Sequence, residues 1–348
     1  LDLILAWASV ALVSAAATRV LIARPLGLDV PNARKAHQHP MPTAGGLGFV
    51  LATILGIAGL NELRSEPLAP GLAVMTLLGA VTLLAGVSLA DDLFDLSAKL
   101  RLAVQVGCAA VPVWLGLSLD RIGVPGFGIL DLGWAGPALT MLWIIACINA
   151  VNFMDGSDGL VAGSLTIASA ALGVCGAIIG SAFVTVTGCL LSAGLLGFVL
   201  FNWPPARIFM GDVGSQSLGF LLALTAVAAA NAPDARMTFL IVPVLLFGLL
   251  FDSGFTLLRR AVAGERVLTP HRGHLFQIAF RLGWTSRDLA LLHAGFALAH
   301  AGLAIGLLHL PHHLSLIVLA PALLGQLLWL GYVLRLMRRA GLAFRDMR

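Results

Sequence analysis

Carboxylates and carboxamides set at close spacing are the groups in this chain with the most chemistry to offer. Asp91, Asp92 and Asp95 stand at i, i+1 and i+4, so on a helix Asp91 and Asp95 share a face with Asp92 beside them. Carboxylates this close repel one another unless a cation or a proton intervenes. A hard divalent ion such as Mg²⁺ suits them, because it takes few carboxylates and keeps positions for phosphate oxygens; a solvated acidic helix end is the plainer reading. A second group packs Asn149, Asn152, Asp155 and Asp158 with Gly156 and Gly159. One of its aspartates reads as the N-cap of a following helix, but four acid and amide groups together read as the lining of a polar cavity. Residues 201–215, FNWPPARIFMGDVGS, read as a shaped loop opening into a helix. Gly211 and Gly214 there let backbone N–H groups approach an anion or a metal-bound phosphate. Phe209 offers a ring to a nucleobase, or anchors the chain at a membrane interface. His271, Arg272 and His274 supply cations and donors for phosphate, ahead of a zinc site that would want a third ligand. The run of Arg34, Lys35 and His37 leads into Pro42, Thr43 and two glycines.

What must position these groups is a membrane bundle. The chain has 348 residues, 59% hydrophobic and only 11% charged, with a mean hydropathy of +0.97. At about 20 apolar residues per span, this is enough for about ten crossings. The composition excludes a cytosolic enzyme, a secreted disulfide scaffold and a disordered chain, and the continuous apolar blocks exclude an alternating outer-membrane barrel. Apolar blocks at 1–22, 45–60, 70–90, 100–118, 135–151, 159–179, 182–201, 216–232, 237–258, 288–309 and 312–336 predict an all-α, polytopic bundle of eleven spans. The first block reads as a span and not as a cleaved leader, since no basic residue precedes it. One integral membrane domain covers 1–348.

Lys and Arg fix the expected orientation. Arg24, Lys35, Lys99, Arg101, Arg207 and the arginines at 259–287 fall on one side with the arginine-rich tail, whereas Arg64, Arg121 and Arg236 fall on the other. The C-terminus and the polar loops are therefore expected in the cytoplasm and the N-terminus outside. The net charge of +4 follows from this bias, and nucleic acid is not among the expected partners. Cys108, Cys147, Cys175 and Cys189 read as packing residues, and the histidines from His293 to His313 as packing or interfacial residues. Asp252 reads either as an ion-pair partner of Arg259 and Arg260 or as a residue lining the site.

The segments DDLFD, NAVNFMDGSDGL and RIFMGDVGS, in this order and on one face, resemble the polyprenyl-phosphate N-acetylhexosamine-1-phosphate transferases. That superfamily includes the phospho-MurNAc-pentapeptide translocase and the initiators of O-antigen and enterobacterial common antigen. The resemblance covers nearly the whole chain. It implies transfer of a sugar 1-phosphate from a UDP-N-acetylhexosamine to undecaprenyl or another polyprenyl phosphate, with release of UMP, in a bacterial inner membrane. Cell-envelope polysaccharide, such as lipopolysaccharide O-antigen, would be the product pathway. Mg²⁺ is the implied cofactor, with Mn²⁺ as a substitute, and a homodimer is compatible with the reading. Residue by residue, the resemblance implies Asp212 as principal metal ligand with Asn152 second. It sets Asp91 and Asp92 beside the acceptor phosphate and Lys35 and Lys99 near the phosphates, with Phe209 on uracil and Asp155 and Asp158 in the nucleotide pocket. His37, Asn149, His271, Arg272 and His274 complete the expected substrate-binding set. The last loop, PHRGHLFQ, lacks the HHHxE run of the pentapeptide translocases and looks closer to the O-antigen-type initiators.

Two other classes compete for the same residues. An intramembrane Mg²⁺-dependent prenyltransferase would show two DxxxD-type motifs, and the second cluster here is rich in Asn instead. An ion-coupled transporter would carry charge at the bilayer midplane and a repeated half, and neither is visible in the sequence.

Overall fold

The structure, a computed structural model, describes residues 1–29, 40–66, 68, 71–124, 127–231, 238–265 and 271–347. Lys35 and His37 lie outside the described residues. The long apolar blocks form α1 (Asp2–Ala23), α2 (Gly46–Leu63), α3 (Gly71–Phe94), α4 (Ala98–Trp114), α5 (Gly136–Met154), α6 (Leu160–Ile178), α7 (Ala182–Asn202) and α8 (Gly211–Ala230). After them come α9 (Ile241–Leu245), α10 (Phe247–Val262), α11 (Leu275–Arg281), α12 (Ser286–His309) and α13 (Leu316–Arg339). Among the described residues, strand structure is limited to two antiparallel pairs, β1 (Leu28–Asp29) with β2 (Met41–Pro42) and β3 (Arg121–Val124) with β4 (Gly128–Asp131).

Among the described residues, nine helices are long and apolar enough to cross a membrane, or ten if the bent pair α9 and α10 counts as one. The expected eleven differ from these by α4, whose 17 residues span about 26 Å against about 30 Å of hydrocarbon. Lys99 and Arg101 stand near its start. The ninth block breaks into α9 and α10, which meet at 73°. Pro243 and Gly248 flank that break, and each weakens a continuous helix.

Helix α8 lies at the centre and is the most enclosed of the candidate spans. It packs against α5, α3 and α2, while α6 and α7 run along each other and carry α1 and α12 on their outer faces. One contiguous apolar core joins them. Close approach of α2 to α8 depends on glycine: a Cβ on Gly46 would sit 2.2 Å from the Gly214 Cα. This contact brings the start of α2 beside the start of α8, where the ends of α3, α5 and α7 also gather.

Candidate active site

A cleft of about 770 Å³ opens at that end of the bundle. Its wall takes Asp92 from the end of α3, Asn152 from the last turn of α5 and Asp155, Ser157 and Asp158 from the turn into α6. Asn202 closes α7, Phe209 to Asp212 lead into α8, and Arg272, Phe276, Gln277, Phe280, Arg281 and Ser286 complete the far side with Thr43 and Asp29. Among the described residues, five aspartates and two arginines line it. The structure thus brings Asp92, Asn152, Asp155, Asp158, Phe209, Asp212 and Arg272 of the expected set to one cavity. Asp91, Lys99, Asn149, His271 and His274 are not among its lining residues.

Asp91 and Asp92, adjacent in sequence, diverge by the 100° that separates neighbours on a helix. The Asp92 carboxylate accepts the Asp212 N–H at 2.9 Å and the Val213 N–H at 3.1 Å, capping α8 from another helix. These are two of the N–H groups that a helix start leaves without an internal partner. Gly211 permits the contact, because its φ of +72° suits glycine and a Cβ there would meet Asp92 Oδ2 at 2.6 Å. Helix α8 starts at Gly211 rather than in the expected apolar block at 216, so Asp212 sits in its first turn. Asp91 is buried, accepts the Leu96 N–H at 2.7 Å and pairs with Arg101 at 2.9 Å. Asp95 takes a left-handed φ of 52° at the end of α3 and is exposed, which removes it from the expected carboxylate face.

Arg101, which the sequence reading passed over in favour of Lys99, also approaches Asp212 Oδ2 at 3.7 Å. Helix phase explains the exchange. Ser97 caps α4 by accepting the Leu100 N–H, and residues 99 and 101 then point about 200° apart, so Lys99 is exposed when Arg101 faces Asp91 and Asp212. Asp212 Oδ1 accepts from Asn152 Nδ2 at 2.8 Å, and the same NH₂ donates to Ser215 Oγ at 3.0 Å. Gln216 Nε2 donates to Asp212 Oδ2 at 2.8 Å. Asn149 stands a turn deeper and bonds to Gln105.

The loop before α8 is stitched to its surroundings by backbone bonds. The Phe209 N–H donates to the Pro42 carbonyl, and the Gly45 and Gly46 N–H groups donate to the carbonyls of Phe209 and Met210. Asn202 accepts the Gly159 N–H and donates to the Ile208 carbonyl. Asp158 accepts the Ala206 N–H at 3.1 Å, so its carboxylate braces the loop. Among the described residues, Asp155 has no such donor. Burial, with Asp212, Asp92 and Asp158 facing it, pushes its carboxyl up to about 8.

Across the cleft, Asp252 organises the loop that carries Arg272. It is 1% exposed, accepts the Leu275 and Phe276 N–H groups at 2.9 and 3.2 Å and lies 3.2 Å from His274 Nδ1. Arg260, one of its expected partners, pairs with Glu265 instead at 3.1 Å. The His271 and His274 rings lie 4.9 Å apart. Burial and the nearby His274, Arg260 and Arg259 hold the His271 imidazole down at about 4, so at neutral pH it is no cation. Phe276, Gln277, Phe280 and Arg281, which the sequence reading did not assign to the site, reach the cleft because α11 lies along its rim.

Among the described residues, no three His, Cys, Asp or Glu side chains converge to hold a metal by themselves. The donor set fits a hard divalent ion that draws part of its shell from water and phosphate. Asp212 supplies a carboxylate, and the Asn152 NH₂ points to Asp212, leaving its carbonyl oxygen as the atom suited to a cation. Buried hydroxyls of Thr43 and Ser157 in the cleft wall have no hydrogen-bond partner among the described residues, as expected of groups that serve a bound molecule.

The chain is a polytopic helical membrane bundle with an acidic cleft at the ends of its spans. Residues 74–230 match glycosyl transferase family 4. The chain is 30% identical to the probable undecaprenyl-phosphate N-acetylglucosaminyl 1-phosphate transferase of Bacillus subtilis, over 77% of this chain and 74% of that protein. It is 30% identical to the decaprenyl-phosphate N-acetylglucosaminephosphotransferase of Mycobacterium tuberculosis, over 79% and 74%. With the undecaprenyl-phosphate alpha-N-acetylglucosaminyl 1-phosphate transferase of Escherichia coli K12 the identity is again 30%, over 78% and 74%. The chain belongs to the polyprenyl-phosphate hexosamine-1-phosphate transferase family.

Proposed function

We propose that this protein transfers an N-acetylhexosamine 1-phosphate from a UDP-sugar to a polyprenyl phosphate at the cytoplasmic face of a bacterial inner membrane, releasing UMP. The names of its relatives favour N-acetylglucosamine as the sugar. The observation that carries the reading is the cleft itself, with five aspartates against two arginines among its described lining residues. Such a surface repels a diphosphate unless a divalent cation accompanies it. Mg²⁺, or Mn²⁺ in its place, would be held by Asp212 with the Asn152 carbonyl, and would neutralise phosphate charge. A prenyltransferase would also use an acidic cleft, and it is the family match that favours sugar-1-phosphate transfer over that class and over a transporter.

The chain's own residues have the following tasks. Arg272 and Arg281 on the rim draw in the anionic donor, and Phe209 offers its ring to uracil. Arg101, joined to Asp91, brings a fixed positive charge to within 3.7 Å of Asp212. The acceptor phosphate has a second ionisation near pH 6, as phosphomonoesters do, so it needs orientation more than deprotonation. One of its oxygens attacks the sugar-bearing phosphorus, the bond from that phosphorus to the bridging oxygen breaks, and UMP leaves with that oxygen. Both Asp92 oxygens already accept backbone N–H groups, and Asp91 is buried against Arg101. Neither is a ready nucleophile, which supports direct transfer over an aspartyl-phosphate route.

The test is UMP release in detergent from a panel of UDP-N-acetylhexosamines, 6-deoxy sugars included, with and without polyprenyl phosphate and Mg²⁺. Release that needs all three components is expected. Hydrolysis independent of the lipid, or no release with any sugar of the panel, overturns the reading.

A further inference from the structure

We infer that Asn149, Gln105 and Gln216 form a positioning relay that fixes the Asp212 carboxylate for the cation and phosphate of the proposed reaction; the inference rests on the reading of Asp212 as a metal ligand. The relay crosses three helices. Asn149 Nδ2, on α5, donates to Gln105 Oε1 on α4 at 2.9 Å, and Gln105 Nε2 donates to Gln216 Oε1 on α8 at 3.0 Å. Gln216 Nε2 then donates to Asp212 Oδ2 at 2.8 Å. Gln105 and Gln216 are only 4% and 3% exposed, and carboxamides are costly inside apolar helices unless their donors and acceptors find partners. Packing alone has no use for them, since leucine would fill the same space without that cost.

The direction of the chain follows from its two ends. The Asn149 NH₂ also donates to the Ile145 carbonyl at 2.8 Å, and a backbone carbonyl only accepts. The Asp212 carboxylate likewise accepts. Each end therefore demands an NH₂, and the amide between them has a single orientation that satisfies both. Turning Gln105 round would set oxygen against oxygen at one contact and NH₂ against NH₂ at the other. The backbone of α5 thus dictates, through two side chains, that Gln216 shows its NH₂ and not its oxygen to Asp212. Together with Asn152 on Oδ1, this holds the carboxylate by both oxygens from within the bundle and turns its outer lone pairs to the cleft.

Gln105→Met separates this role from simple packing. It keeps the length of the side chain, touches neither Asp212 nor the cleft lining, and removes the donor that holds Gln216 Oε1, so that the Gln216 amide no longer keeps Asp212 Oδ2 in one place. Binding of MnCl₂ to the purified full chain, without sugar or lipid, is read from the spin-resonance signal of free Mn²⁺, with size exclusion and thermal midpoint as folding controls. Gln105→Met and Gln216→Leu should each weaken binding about tenfold, the scale of a hydrogen bond to a charged group, and the double variant should be no weaker than Gln216→Leu alone. Asp212→Asn should lose binding altogether. Wild-type Mn²⁺ affinity in folded Gln105→Met or Gln216→Leu, when Asp212→Asn has lost it, overturns the relay. Undiminished binding in Asp212→Asn instead overturns the metal reading, and the relay's purpose falls with it.

Discussion

Phe209 sits half-buried on the cleft wall, and its backbone is pinned on both sides by bonds to Pro42 and Gly45, so its ring can be changed without loosening the loop. Phe209→Ala should weaken UDP-sugar binding by about 1–2 kcal/mol, the scale of a base stacked on an aromatic ring, with little effect on the lipid acceptor. Phe209→Tyr and Phe209→Trp keep a π-face and should bind nearly as well as the native residue. Calorimetric titration decides: if Phe209→Leu matches Phe209→Tyr, the ring is apolar bulk and no stacking partner. Asp155 gives a second prediction. Its carboxyl, raised to about 8, titrates near 3.9 when the chain is unfolded, so the folded state holds the proton more tightly. Its contribution to stability is complete below about pH 4 and is lost as pH rises towards 8. Without metal, Asp155→Asn should therefore flatten the fall of the thermal midpoint between pH 5 and pH 8; an identical slope in both proteins rules out Asp155 as its source. At this scale residue type was legible and direction was not. Asp91 and Asp92 read alike as a pair, and only the fold turns one to Arg101 and the other to the start of α8.

Among the elements, the crossing of α2 and α8 governs the shape of the cleft, because both helices begin at its edge. A valine at Gly46 would drive its Cβ into the backbone of Gly214. Gly46→Val should cost at least about 1–3 kcal/mol, the usual penalty of overpacking, and should displace Asp212 with the helix that carries it. The control is Gly79→Ala on α3, where a Cβ would meet nothing within 4 Å and helix propensity alone acts. A lower thermal midpoint with lost activity is expected for Gly46→Val and near-native behaviour for Gly79→Ala; the same result for both would mean that the crossing tolerates bulk. Most helices were legible as apolar blocks, since bilayer thickness sets their length. Hydropathy could not show the break between α9 and α10, which keeps its apolar character across the bend. Gln105 and Gln216 carried a signal that block-counting ignored. Arg101 with Gln105, and Asp212 with Gln216, are each four apart, which places polar groups on one stripe of otherwise apolar helices.

For the molecule as a whole, Met347 is fully buried and packs against Gly273, so the C-terminal end lies on the cleft's side of the bundle. A reporter active only outside the inner membrane should stay silent when fused after Arg348 and become active when inserted near Glu66. The reverse pattern would put the cleft on the face that UDP-sugars do not reach. Lys and Arg set the expected orientation that these fusions test, but the meeting of α3, α5, α7 and α8 at one end could not be read from them, because it depends on which helices pack together. That meeting place has a kinetic consequence. The cleft is floored by the ends of membrane helices, so in the proposed reaction one reactant arrives from a volume and the other from a surface. For the lipid acceptor, the quantity that saturates the enzyme is its mole fraction among the surrounding amphiphiles and not its amount per litre. Adding detergent at constant total acceptor should therefore slow turnover through dilution in two dimensions. Raising acceptor and detergent together should leave the rate where it was, while the dependence on UDP-sugar keeps its ordinary bulk form.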